Sequence, residues 1–139
     1  MWKKILIAYD GSDYANQALA TACDIAKAMQ ASVSVISVIK LPEPMLGLKP
    51  EVFVDDATKY YKQHFIKALA NCQKIDQEID LEIVIGRPAE SILNFAMQHK
   101  CDLVVVGFAK KKSLLDKLML GSIAKQVLDH AICSVLLVR

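Results

Sequence analysis

Short apolar runs alternate along this chain with longer stretches in which apolar residues recur every three or four positions. The runs Ile5–Tyr9, Val33–Ile39, Leu81–Ile85, Leu103–Val106 and Val135–Val138 predict five strands. The first, fourth and fifth are almost continuously apolar, as expected of strands covered on both faces in the middle of a parallel sheet. In the third, Leu81, Ile83 and Ile85 alternate with Glu82 and Val84, which predicts a half-exposed edge strand.

Four stretches carry a helical period. Ala15, Ala18, Leu19, Ala22, Ile25, Ala26 and Met29 mark the first, and Ala57, Tyr61, Phe65, Ala68, Leu69 and Cys72 the second. Ile92, Leu93 and Ala96 mark the third, with Pro88 suited to its first turn, and Ala124, Val127, Leu128 and Ala131 mark the fourth. Tyr60, Tyr61 and Phe65 read as packing residues rather than as a cofactor stack. The segment Lys40–Val52, with Pro42, Pro44, Gly47 and Pro50, is too proline-rich for regular structure and predicts a mobile flap.

The order β-α-β-α-β-α-β-α-β, with no repeat or linker, predicts an α/β fold: one doubly wound parallel sheet with helices on both faces. At 139 residues and 54% apolar, the chain suffices for one domain spanning 1–139 around one core. Charge narrows the function. Seventeen Lys and Arg against 15 Asp and Glu leave a formal +2, which argues against a broad basic face for nucleic acid. The local exception, Lys110-Lys111-Lys112, reads either as a solvated loop tip or as ammonium groups offered to a polyphosphate. Cys23, Cys72, Cys101 and Cys133 lie far apart without zinc-site spacing; buried small hydrophobes are the main reading and an oxidation-sensing thiol the other. Ile5–Tyr9 is too short for a signal-peptide core and no stretch has the length of a membrane span, so no membrane contact and a cytoplasmic location are expected.

In an open parallel sheet, ligands bind beyond the carboxyl ends of the strands where strand order reverses. Strand one ends in Asp10-Gly11-Ser12-Asp13, where Ser12 suits a helix cap. Two readings of Asp10 stand equally: a carboxylate for a sugar hydroxyl or metal-bound water, or plain turn chemistry. Strand four ends in Gly107, and Gly121-Ser122-Ile123 leads into helix four, where free N–H groups and the helix dipole favour an anion. His64, His99 and His130 show no motif spacing and read as surface or helix-end residues. No Walker loop, GxGxxG, GxSxG or nucleophile–base pattern is present, so no pattern specifies a catalyst.

Three segments together resemble the universal stress protein family over nearly the whole chain. They are Lys4 to Ser12, Gly86-Arg87-Pro88-Ala89-Glu90-Ser91-Ile92, and the tail from Leu120-Gly121-Ser122 to Val138. The resemblance implies a five-stranded sheet in the order 3-2-1-4-5 with two helices on each face, and a homodimer paired through Val135–Val138. It also implies a site for ATP or AMP, with magnesium accompanying ATP, and a regulatory role in the stress response with at most slow ATP hydrolysis. Asp10 would then approach the ribose, and Ala8, Tyr9 and Val38 would line the adenine pocket. Val106 and Gly107 would flank it, Gly121, Ser122 and Ile123 would take the phosphates, and Ser12 and Lys110 would complete the site. One departure stands out. Nucleotide-binding members carry Gly-x-x-Gly, nine residues, then Gly-Ser or Gly-Thr, whereas here Lys110 replaces the second glycine and the interval from Gly107 to Gly121 is one residue longer. Two outcomes follow: a phosphate loop rebuilt around lysine charge, or a family member without nucleotide that acts as a dimeric protein-interaction module.

Overall fold

The computed structural model describes residues 1–108 and 122–139. In chain order the elements are β1 (Lys4–Ala8), α1 (Asp13–Met29), β2 (Ser32–Ile39), α2 (Pro50–Ala70), β3 (Leu81–Ile85), α3 (Pro88–Gln98), β4 (Leu103–Gly107), α4 (Ser122–His130) and β5 (Ser134–Val138). All pairings are parallel, and the sheet order is β3-β2-β1-β4-β5. The expected α/β architecture is the one observed.

Side-chain alternation along the strands divides the core in two. Ile5, Ile7, Leu103 and Val105 pack with Ala18, Leu19 and Ala22 of α1 and Phe65 of α2. Leu6, Val104 and Val106 turn the other way, onto Ile92 and Ala96 of α3 and Ala124 and Val127 of α4. Leu6, Ile7, Val104 and Val105 have no exposed surface, because β1 and β4 are covered on both faces.

One element differs from the expected ones. Helix α2 starts at Pro50, so the irregular connection after β2 ends at Lys49 rather than Val52. Pro50 stands in the first turn, where a missing N–H breaks no helical hydrogen bond. As the resemblance implied, β5 lies at an edge, as β3 does, although its apolarity is as unbroken as that of the central strands. Its Leu136 and Val138 pack with the α1–α2 core and its Val135 and Leu137 with the α3–α4 core. Continuous apolarity therefore reports two covered faces and does not indicate a neighbour on each side. Among the described residues, no helix is long and apolar enough to cross a membrane.

Small residues hold the layers close at the carboxyl end of the sheet. Ser37, the one buried polar residue of the described core, donates its hydroxyl to the Tyr9 carbonyl at 2.6 Å and ties β2 to the end of β1. At Gly107 the start of α1 comes so near that a Cβ would stand 2.3 Å from the Tyr14 carbonyl oxygen. Backbone cannot swing aside as a flexible side chain would. Gly107→Ala is accordingly expected to destabilise the fold by about 1–3 kcal/mol, the usual cost of overpacking. Urea denaturation of the two proteins measures it, and equal midpoints would refute the close approach.

Candidate functional site

The candidate site grows out of the turn after β1. Gly11 has φ +83°, a conformation open to glycine, and the Tyr60 ring lies across it: a Cβ there would meet Tyr60 Cε1 at 2.9 Å. Ser12 caps α1, its Oγ accepting from the Ala15 N–H at 3.2 Å. Asp10 supports that cap. Its Oδ1 accepts from the Ser12 N–H at 3.0 Å and from the Ser12 hydroxyl, while among the described residues Oδ2 has no hydrogen-bond partner. One carboxylate oxygen thus builds the turn, as the turn reading of Asp10 expected, and Asp10 also lines the cavity described next.

Above this turn, at the carboxyl ends of β1, β2 and β4, lies a cavity of about 480 Å³. Such a volume is in the range of small-molecule sites, roughly 300–1,000 Å³. Ala8, Ile36, Val38 and Val106 form its apolar floor and project toward the α3–α4 side. Asp10 and Lys40 follow just past the strand ends and put one negative and one positive side chain on the lining. Pro88 and Ile92 of α3 form one wall, and Ser122, Ile123 and Ala124 at the start of α4 another. Tyr14 and Ala15 of α1, Tyr61 of α2, and Tyr9, Gly107 and Phe108 complete the lining.

Of the residues singled out in the sequence, Ala8, Tyr9, Asp10, Val38, Val106, Gly107, Ser122 and Ile123 line this one cavity. Ser12 does not, because its hydroxyl is occupied by the α1 cap. Lys110 and Gly121, with the rest of the lysine run, lie outside the described residues. Sequence reading passed over Tyr14, Ile36, Lys40, Pro88, Ile92 and Phe108 as lining residues and gave Tyr61 only a packing role. A signal for Tyr61 existed. It stands one turn before the buried Phe65 on the same helix face, toward the end of α2 that faces the strand tips. None of the three histidines lines the cavity: His64 Nδ1 lies 2.8 Å from the Tyr60 carbonyl, His99 caps α3 and His130 ends α4.

Phe108 is held in place from the C-terminus, its N–H donating to Val138 at 2.9 Å and its ring lying under the Arg139 guanidinium, 5.4 Å away. Tyr9 packs edge-on to Phe65 and donates its hydroxyl to Asn16 Oδ1 at 2.6 Å. Burial, followed by the charge of Asp10, pushes the Tyr9 phenol up to about 12. Burial likewise raises all four free thiols, Cys23 to about 12, in keeping with their packing role.

The profile of the universal stress protein family matches residues 1–139. The chain belongs to the universal stress protein family. Relatives agree: it is 36% identical to Universal stress protein MJ0531 of Methanocaldococcus jannaschii, across all of this chain and 83% of that protein. It is 34% identical to Universal stress protein YxiE of Bacillus subtilis, across the whole of both. Among solved structures, the protein MJ0577 superposes with a TM-score of 0.81 at 25% identity, covering 99% of this chain and 96% of that one. The same fold recurs at lower identity in a universal stress protein in complex with cAMP (TM-score 0.65, 23% identical, covering 99% of this chain and 97% of that one). It recurs again in one from Archaeoglobus fulgidus in complex with dAMP (TM-score 0.66, 19% identical, covering 99% and 98%).

The raised Tyr9 phenol sets a pH dependence. An unfolded tyrosine ionises near pH 10, whereas Tyr9 in the fold holds its proton to about pH 12. Its contribution to stability is therefore complete below pH 10 and lost as pH rises from 10 to 12. Between pH 9.5 and about 11.5 the parent should lose more stability than Tyr9→Phe, read as the shift in urea midpoint; parallel losses would contradict the assignment.

Proposed function

We propose that this chain binds an adenine nucleotide in the crevice above β1 and β4, and acts in the cytoplasm as a dimeric regulator of the stress response rather than as a fast enzyme. The observation that carries the reading is the combination in one cavity of an apolar floor, the Asp10 carboxylate at its rim and the start of α4 at its far wall. A flat apolar base fits between Ala8, Val38 and Val106, its ribose reaches Asp10, and its phosphates run toward Ser122 and Ile123. The free N–H groups and dipole at the start of α4 favour that negative charge. In this reading Gly121 and Lys110 complete the phosphate end. The family members solved with cAMP and with dAMP give a precedent for an adenine nucleotide on this fold.

Magnesium fits only as a companion of the phosphates. Among the described residues no three His, Cys, Asp or Glu side chains gather to hold a metal ion. Asp10 is a single carboxylate, and magnesium is commonly held by one or two carboxylates together with substrate phosphates. The ion would screen phosphate charge there, while Asp10 orients the sugar end. The proposed dimer uses β5: Val135–Val138 is a half-buried apolar edge strand with, among the described residues, one side unpaired, which favours pairing with a second copy.

A protein-interaction module without nucleotide is the second reading. It draws on the exposed Leu46, Leu48 and Val52, which put apolar surface along the β2–α2 connection and the first turn of α2.

Calorimetric titration with ATP and AMP in the presence of magnesium should give saturable binding. Val38→Trp, which fills the floor, should abolish it while the far-ultraviolet circular dichroism stays unchanged. Absence of heat with both ligands at millimolar concentration would remove the nucleotide reading and favour the interaction module. Light scattering should return twice the chain mass, and a strictly monomeric protein would remove the dimer.

A further inference from the structure

Tyr61 is, with Tyr14 and Lys40, one of the polar groups of the crevice for which neither the turn nor the proposed nucleotide contacts give a role. Phe65 and Ala68 bury one face of α2, and that packing carries Tyr61 to the cavity that Asp10 also lines. The Tyr61 ring meets Tyr60 edge-on, with centroids 5.6 Å apart and planes at 75°, and Tyr60 in turn lies across Gly11. The ring is therefore held from the side by the same turn that positions Asp10.

The Tyr61 hydroxyl makes no hydrogen bond with another described residue. Tyr61 lines the crevice, and among the described residues no buried side-chain oxygen or nitrogen lacks a partner. Burial first, and then the neighbouring Asp10 charge, raise the Tyr61 pKa, so the phenol keeps its proton and can donate. Asp10, with Oδ1 committed to Ser12, presents an acceptor. One cavity is thus lined by a donor and an acceptor beside an apolar floor.

We propose that Tyr61 is a specificity-determining residue that, together with Asp10, reads the vicinal hydroxyls of a ribonucleotide. Asp10 accepts from one hydroxyl, and Tyr61 donates to the oxygen of its neighbour. A sugar diol offers a donor and an acceptor on adjacent carbons, which matches this pair; a deoxy sugar leaves one protein group unpaired and pays its desolvation. The inference rests on the adenine-nucleotide reading and adds to it a selection for ribose.

Calorimetry with AMP, 2′-deoxy-AMP and 3′-deoxy-AMP on the full chain tests it. AMP should bind about tenfold more tightly than each of the deoxy analogues, the discrimination expected of one hydrogen bond to a charged partner or from a phenol. Tyr61→Phe should weaken AMP and bring one of the two ratios close to one, with an unchanged thermal midpoint. If both deoxy analogues bind the parent as tightly as AMP does, or if Tyr61→Phe keeps both ratios, the selection is refuted while nucleotide binding stands. If none of the three binds, the nucleotide reading fails and the inference falls with it. The comparison of ligands on the parent protein needs no variant to fold.

Discussion

The position of β1 between β2 and β4 governs the rest of the molecule. Both neighbours are parallel to it, so neither can be reached by a tight turn, and each connection has to cross a face of the sheet. The chain leaves β1 through α1 on one face, and it reaches β4 from β3 through α3 on the other. Helices that depart to opposite sides leave a gap at the carboxyl ends of the two strands, and the cavity lies in that gap. The arrangement is stable because Leu6, Ile7, Val104 and Val105 are fully removed from water between the two helical layers.

Around the gap, small residues let the layers approach and polar ones do double duty. Gly107 admits the Tyr14 backbone, and Ser37 holds the Tyr9 carbonyl, which fixes the crevice floor without a bulky side chain to fill it. Asp10 serves the structure while lining the crevice: one carboxylate oxygen steadies the Ser12 cap of α1.

Much of this was legible in order of residues. Strict alternation of strand and helix patterns led to the doubly wound sheet, and Asp10, Gly107 and Ser122 marked the strand tips and helix start that converge on the cavity. Other features were not. Tyr61 looked like packing because a helical period records which face is buried and not where along the helix the core ends. Pro50 looked like part of a flap because proline is compatible both with loops and with a first helical turn. Gly107 was read as a glycine flanking the site, and it lines the cavity; the close approach of the α1 backbone to it, far away in sequence, was not legible.

By itself, the sequence determined the class of fold, the element order, the family and the turn that carries Asp10, because these depend on local periodicity, capping and short motifs. Only the tertiary structure decided that the Tyr14 backbone closes on Gly107, and that Lys40 and Tyr61 join the crevice. Each of those outcomes depends on which distant elements come to lie beside one another. Burial and alternation along one segment record that something covers it; they do not record what.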